Sequence, residues 1–156
     1  MCVNFITFGS HSGYIDAGNR LIQQANNLNI FTETNLYTSE DLKLDQSFWP
    51  QHNNFINNNH RGYGYWLWKP YLIKKKMEEM KDGDVLLYLD CGCEIDYREK
   101  EDLLNCIDIV KKDKIVGTYI CIENEYNKMD LIEKLNMNKD IYILIVLSVR
   151  RELCYF

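Results

Sequence analysis

The sequence has no surplus of basic residues, and this absence argues against nucleic acid as a ligand. Its 156 residues include 18 Lys and Arg against 23 Asp and Glu, which gives a net charge of −5. Proteins that bind nucleic acid usually carry a basic surplus, because neutralising phosphates drives their affinity. We therefore expect no nucleic-acid partner, although one local cluster of donors is enough for a small anionic ligand.

A long apolar run, a secretory leader and an Asn-X-Ser/Thr acceptor are also missing from the sequence. The longest apolar run, residues 141–149, has about half the length that a bilayer span needs. The opening residues, MCVNFITFGSHSGY, show no basic segment followed by an apolar one. We expect a soluble, cytoplasmic protein without a transmembrane segment.

The six cysteines are scattered and form no paired C-x-x-C motifs. Paired motifs of that kind hold structural zinc, so the sequence does not support such a site. The cysteines are more typical of buried thiols that pack as small apolar side chains.

Segments typical of strands alternate with segments typical of helices along most of the chain. Strands are predicted over residues 2–8, 30–37, 85–89, 115–122 and 141–149, and helices over 17–29, 64–80, 99–111 and 128–137. Such alternation predicts an α/β fold with a mostly parallel sheet flanked by helices, in a single domain over residues 1–156. The strand at 85–89 is apolar throughout, which predicts a place in the middle of the sheet.

The predicted helix over residues 64–80 contains a proline and a run of lysines. Pro70 disfavours helix at the residue before it and suits a first helical turn, so we expect a break or a new start there. Lys74, Lys75 and Lys76 are expected to lie mostly on the solvent-facing side of the helix.

Two loops follow predicted strands, at the edge where open α/β sheets bind ligands. The candidate residues are Thr7, Phe8 and Gly9 in the first loop, and Asp90, Gly92 and Glu94 in the second. A carboxylate at the end of an apolar strand is costly to bury without a partner. Asp90 is therefore a candidate for holding a ribose hydroxyl or a metal-bound phosphate, and an Asp that only caps the local turn is the alternative.

A third candidate is the run HRGYGYWLWKP at residues 60–70, which combines aromatic rings with Arg61 and Lys69. Aromatic rings stack on bases and sugars, and both cations bind phosphate. On a helix, Tyr65 and Trp66 would each share a face with Lys69. Packing of the rings in the core, with the cations at the surface, is an equally good interpretation.

Two of these motifs, RGYGYWLWKPY at residues 61–71 and GDVLLYLDCGCEI at 83–95, resemble a group of glycosyltransferases from bacteria and large DNA viruses. That group is related to the retaining nucleotide-sugar transferases of the GT-A fold, and the resemblance covers residues 1 to about 138. It implies a Rossmann-like GT-A fold and a nucleoside-diphosphate-sugar donor, with a UDP-sugar favoured. It also implies a divalent metal, Mn or Mg, and a carbohydrate or protein acceptor.

The motifs and the resemblance together assign candidate roles to individual residues. The donor-binding set is Thr7, Phe8, Gly9, Arg61, Tyr65, Trp66, Lys69, Asp90 and Gly92, and the catalytic set is Asp90, Arg61 and Lys69. GT-A enzymes typically carry an Asp-X-Asp motif after the central strand. Asp90 matches its first acid, but Gly92 stands at the second. Either Glu94 is the second metal ligand, or the metal is bound more weakly.

The last residues, 141–156, do not resemble the continuation of such enzymes. We therefore expect the C-terminal part of the fold to be incomplete. The leading hypothesis is a glycosyltransferase or its donor-binding half. The alternatives are a truncated, inactive nucleotide-sugar-binding module, and an aromatic-rich domain that binds carbohydrate or protein.

Overall fold

The structure of the protein, a computed structural model, describes residues 1–113. Its strands are β1 (Val3–Gly9), β2 (Glu33–Thr38) and β3 (Val85–Tyr88). Its helices are α1 (Ser12–Leu28), α2 (Ser39–Leu44), α3 (Trp49–Asn58), the single turn α4 (Gly62–Tyr65), α5 (Trp68–Glu79) and α6 (Lys100–Asp113), with a 3-10 turn at Tyr97–Glu99. The elements predicted over residues 115–149 lie outside the described residues. No helix in the described part is long and apolar enough to cross a bilayer.

The three described strands form one parallel sheet in the order β2-β1-β3. β1 pairs with β2 from Asn4 opposite Glu33, and with β3 from Val3 opposite Val85. The predicted α/β fold with a parallel sheet is confirmed for this part of the chain. Among these three strands the middle position belongs to β1. The strands predicted over residues 115–122 and 141–149 lie outside the described residues, so the central place predicted for β3 stays a prediction.

Side chains alternate along β1 and divide the core into two layers. The layer on the side of α1 and α6 contains Val3, Phe5, Leu21, Ala25, Leu28, Leu87, Leu103 and Ile107. The layer on the side of α2, α3 and α5 contains Ile6, Phe8, Leu42, Phe48, Ile56, Trp68, Leu72 and Tyr88. The sheet is therefore covered on both faces, as a parallel sheet requires.

Two helices differ from the sequence prediction in extent. α1 begins at Ser12, five residues before the predicted start, because its polar first turn gives no apolar periodicity. α3 forms in the Asn-rich segment, for which no helix was predicted. Within it Asn53 and Asn58 donate side-chain hydrogen bonds to the carbonyls four residues earlier, Trp49 and Asn54, at 2.8 and 2.7 Å. Phe48 and Ile56 pin this helix to the core.

The lysine run of α5 faces solvent only in part. Lys74 is exposed as predicted, but Lys76 is buried, with its Nζ 2.7 Å from Glu33 Oε2 and 3.4 Å from Glu79 Oε2. The prediction was wrong for Lys76 because α5 packs on β2, which supplies the buried cation with the carboxylate of Glu33. Lys75 binds Asp45, at the end of α2.

Asp45 joins three parts of this layer. Its carboxylate accepts hydrogen bonds from Lys75, from the Tyr71 hydroxyl at 2.8 Å and from the Ser47 backbone N–H at 2.9 Å. Burial alone would raise the pKa of Asp45, but these hydrogen bonds outweigh it and lower the pKa to about 2. Asp45 therefore holds the end of α2 to α5.

The depressed pKa of Asp45 predicts an acid-dependent loss of stability. Its contribution is fully present above the unfolded pKa of about 3.9 and is lost as the pH falls through the folded value. We expect Asp45→Asn to lower the free energy of unfolding by about 2 kcal/mol at pH 7. The deficit should shrink between about pH 4 and pH 2. Urea unfolding across that range measures it.

The matched control is Asp108→Asn. Asp108 is exposed and pairs with Lys111 on its own helix, so its loss should change stability little. A deficit for Asp45→Asn that stays the same from pH 7 down to pH 2 would contradict the assignment.

Candidate functional site

The candidate site lies where β1 and β3 end side by side. Ile6 of β1 is opposite Tyr88 of β3, so both chains leave the sheet at the same edge. After β1 the chain turns into α1 and then reaches β2, on the side of β1 away from β3. The loops that follow β1 and β3 are therefore neighbours without being connected, and open parallel sheets bind ligands at such places.

The loop after β1 is packed closely against the first turn of α1. A Cβ atom on Gly9 would lie 2.7 Å from the carbonyl oxygen of Tyr14 and 2.9 Å from the Cα of Ile15. Thr7 and Phe8 are both buried, and the Thr7 hydroxyl has no hydrogen-bond partner within residues 1–113. The structure thus places these three donor-binding candidates in the last residues of β1, where they are buried, and not in an open loop.

Asp90 and Lys69, predicted from separate motifs, form an ion pair at this edge. Lys69 Nζ lies 2.9 Å from Asp90 Oδ1 and 3.1 Å from Oδ2. The hydroxyl of Tyr88 donates a second hydrogen bond to Asp90 Oδ1 at 2.6 Å. Burial, reinforced by the charge of Asp90, raises the pKa of Tyr88 far above its usual range, so this hydroxyl keeps its proton. The side chain of Asp90 is about half exposed, and the pair can be reached from solvent.

Arg20 of α1 holds the loop after β3. Its Nη2 donates to the carbonyl of Cys93 at 2.8 Å and to that of Cys91 at 3.4 Å, and its Nη1 lies 3.5 Å from Glu94 Oε1. At Gly92 a Cβ atom would meet nothing within 4 Å. The loop is therefore fixed from the α1 side and open at Gly92, between the two residues that Arg20 binds through their carbonyls.

The described residues hold no cluster of three candidate metal ligands that includes Asp90 and Glu94. Divalent metals such as Mg and Mn are held by several oxygen ligands, but residues 1–113 contain no group of three His, Cys, Asp or Glu side chains that could hold one. Asp90 and Glu94 each pair with a cation from a different helix, Lys69 and Arg20. The metal stays a prediction, and no step proposed below uses it.

The aromatic motif contains a turn with a left-handed backbone. Five consecutive residues have positive φ, namely Gly62 (59°), Tyr63 (52°), Gly64 (83°), Tyr65 (50°) and Trp66 (58°). In a left-handed helical conformation each non-glycine residue costs about 1–2 kcal/mol. The helix predicted over residues 64–80 is therefore interrupted by the turn at residues 62–66 and not at Pro70. Pro70 lies inside the first turn of α5. The prediction that Trp66 and Lys69 share a helical face was wrong, because Trp66 is not in a helix.

Hydrogen bonds and close packing hold this left-handed turn in place. The N–H groups of Tyr65 and Trp66 donate to the carbonyls of Arg61 and Gly62 at 2.8 and 3.0 Å, and Trp68 Nε1 also donates to Gly62 at 3.0 Å. The ring of Trp66 covers Gly62 so closely that a Cβ atom there would lie 2.6 Å from it. Glycine is required at this position both by its positive φ and by the ring.

The rings of the motif divide between core and surface. Trp68 stacks on Phe8 with ring centroids 3.9 Å apart, and Tyr63 contacts Phe8 at 5.9 Å. Tyr65 and Trp66 instead face solvent, with exposed fractions of 53 % and 43 %. The core-packing interpretation thus holds for one half of the motif, and the other half is available to a ligand.

The two outward rings have neighbours of their own. Phe55 of α3, 46 % exposed, lies 6.3 Å from Tyr65 between ring centroids. The guanidinium of Arg61 lies over the ring of Trp66, with Cζ 5.8 Å from the centroid. Arg61, Tyr65, Trp66 and Phe55 form a second group beside the Asp90–Lys69 pair.

Sequence reasoning did not identify Tyr88, Arg20 or Phe55 as parts of the site. Tyr88, the last residue of β3, stands two residues before Asp90, and that spacing could have indicated it because residues two apart in extended chain point to the same side. Arg20 and Phe55 are brought into the site by tertiary packing, and no sequence pattern indicates them.

Comparisons of the chain with family models, with curated proteins and with solved structures find no match. Support for a function therefore comes from the geometry of the candidate site and from the two sequence motifs at residues 61–71 and 83–95.

The contacts of Gly9 predict a sharp difference between two glycines of the site. Gly9→Ala should lower the melting temperature, because its methyl group meets backbone atoms that cannot move aside, and overpacking of this kind costs about 1–3 kcal/mol. Gly92→Ala should leave the melting temperature unchanged, since its methyl group enters open space. Equal melting temperatures for the two variants would show that α1 does not pack on β1 in this way.

The left-handed turn predicts an inverted ranking at position 65. In an ordinary helix Ala is more stable than Gly, but glycine accepts positive φ without a steric cost. We expect Tyr65→Gly to be more stable than Tyr65→Ala by about 1 kcal/mol. Chemical denaturation of the two variants measures this difference, and a more stable alanine variant would rule out the left-handed backbone.

Proposed function

We propose that the chain binds a nucleoside-diphosphate-sugar, with a UDP-sugar favoured, and serves as the donor-binding half of a glycosyltransferase. The observation that carries this proposal is the Lys69–Asp90 pair at the adjoining ends of β1 and β3. The pair combines a cation for phosphate and an acceptor for a hydroxyl at an edge where parallel sheets bind nucleotides. The resemblance of the two motifs to glycosyltransferases supports the same ligand.

The two members of the pair suit different parts of the donor. Lys69 is a flexible cation, and its Nζ can leave Asp90 for an oxygen of the diphosphate. Asp90 accepts hydrogen bonds and is suited to a ribose hydroxyl, while the Tyr88 hydroxyl continues to donate to it. Gly92 leaves room for the diphosphate in a loop that Arg20 keeps in place.

Glycosyl transfer would use Lys69 to stabilise the leaving group. The bond between the anomeric carbon and the diphosphate oxygen breaks, and the diphosphate departs with the bonding electron pair. An acceptor hydroxyl forms the new bond to that carbon and passes its proton to the departing diphosphate. A cation held where the negative charge grows lowers the barrier of such a step. Lys69 is in a position to supply that charge beside Asp90.

The first test of the proposal is the affinity for the donor. A hydrogen bond to a charged group contributes about 1.5–3 kcal/mol, so Lys69→Ala should weaken the binding of a UDP-sugar tenfold or more. Lys74→Ala is the matched control, because Lys74 is an exposed lysine of the same helix. Calorimetry with UDP-glucose and UDP-N-acetylglucosamine, each with manganese and with a chelator, measures both variants. Unchanged affinity in Lys69→Ala contradicts the donor site.

The second test separates binding from turnover. Asp90→Asn should abolish transfer or hydrolysis of the donor while the melting temperature is retained, because the amide lacks the charge that pairs with Lys69. If Asp90 only capped a turn, the Asn oxygen could accept the same hydrogen bonds and activity would persist. A wild-type chain that binds the donor and never releases free nucleotide would instead be a nucleotide-sugar-binding module without turnover.

A further inference from the structure

Three outward-facing aromatic side chains lie together on the surface next to the donor site. We call Phe55, Tyr65 and Trp66 the aromatic platform. Each is between 43 % and 53 % exposed, and Arg61 lies over the ring of Trp66. The ion pair of the donor site contains none of these four side chains, so the platform is a separate feature that calls for its own ligand.

The backbone beneath the platform points to a function for its rings. Tyr65 and Trp66 both have positive φ, where glycine would be accommodated without a steric cost. The chain nevertheless places two large rings there and holds them with the hydrogen bonds of the turn. Strained backbone of this kind concentrates at binding sites, where it fixes side chains in advance. Rings held in this way lose little freedom when a ligand stacks on them.

The chemistry of the platform suits a sugar ring. A sugar offers a face of C–H groups that stacks on an aromatic ring, and a rim of hydroxyl or carboxylate groups that needs donors. Within residues 1–113 the side chain of Arg61 has no hydrogen bond and no ion pair, and its contact there is with the face of Trp66. Its N–H groups are therefore free to donate at the edge of the ring on which a sugar would lie.

A short stretch of chain connects the platform to the donor site. Trp66 and Lys69 are three residues apart, so their Cα atoms are at most about 11 Å from each other. The Lys69 N–H donates to the Trp66 carbonyl at 3.0 Å, and Trp68 between them is stacked on Phe8. A short, anchored connection therefore links the backbone of the platform to Lys69 of the donor site.

We infer that the aromatic platform, with Arg61, binds the carbohydrate acceptor of the transfer reaction. This inference rests on the proposed function, since it needs a donor at Lys69 and Asp90. It assigns Arg61, Tyr65 and Trp66 to the acceptor side of the reaction. The alternative occupant is a protein surface, for which exposed Trp, Tyr and Arg side chains are also typical.

The experiment measures glycan binding and donor binding separately on the full chain. Wild type, Trp66→Ala and Tyr65→Gly are applied to an array of oligosaccharides that end in a hexose, an N-acetylhexosamine or a uronic acid. The best ligand is then titrated by calorimetry, and UDP-glucose is titrated in parallel. Tyr97→Ala is the matched control, because Tyr97 is an exposed ring on a different element.

We expect Trp66→Ala and Tyr65→Gly to lose glycan affinity at least tenfold, with donor affinity changed less than twofold. Tyr97→Ala should match the wild type in both titrations. Tyr65→Gly removes a ring while relieving the strain of its backbone, so it is the variant of this position that disturbs the turn least. Melting temperatures of all variants accompany the titrations.

Three results would overturn the acceptor site. One is a Trp66→Ala protein that binds glycans as the wild type does, or a wild type that binds none of them. Another is a loss of UDP-glucose together with the glycan, which would place the rings in the donor site. The third is self-association of the chain, seen by sedimentation and abolished by Trp66→Ala, which would make the platform a protein interface. Failure of the proposed function itself shows independently, as a wild type without affinity for any UDP-sugar.

Discussion

The stacking of Trp68 on Phe8 is the contact on which the rest of the site depends. Phe8 lies near the end of the middle described strand, and Trp68 is the first residue of α5. Because the rings overlap at 3.9 Å, α5 must begin beside the edge of the sheet, which brings Lys69 to Asp90. The same anchor forces the preceding residues outward, into the left-handed turn. One buried aromatic pair thus sets both the polar and the aromatic part of the surface.

Two helices on opposite faces of the sheet position the parts of the site independently. α5 brings Lys69 from one side, and α1 brings Arg20 from the other. Asp90 and the loop after it lie between them, each held by a different cation. A change in either helix would therefore be felt at this loop, although the two helices belong to separate layers of the core.

Apolar periodicity was enough to predict the α/β class, the parallel sheet and the position of Asp90 just after the end of a strand. It could not predict the order β2-β1-β3 of the described strands, because the pairing of strands depends on tertiary contacts that apolar periodicity does not record. Nor could it predict the left-handed turn, since Tyr63, Tyr65 and Trp66 disfavour that backbone and adopt it under tertiary packing. The burial of Lys76 depended on Glu33, which is 43 residues away in the chain.

Asp90 receives hydrogen bonds from two donors of different character. Lys69 is a long side chain that can swing away, whereas Tyr88 is rooted in a buried strand and keeps its proton. If Lys69 were its only hydrogen-bond donor, Asp90 would have no partner whenever the lysine bound another anion. The hydroxyl of Tyr88 continues to donate to Asp90 when Lys69 moves away. Because Tyr88 stays bonded to Asp90, Lys69 can leave the ion pair and return to it. Its charge is then free to bind another anion at this end of the sheet.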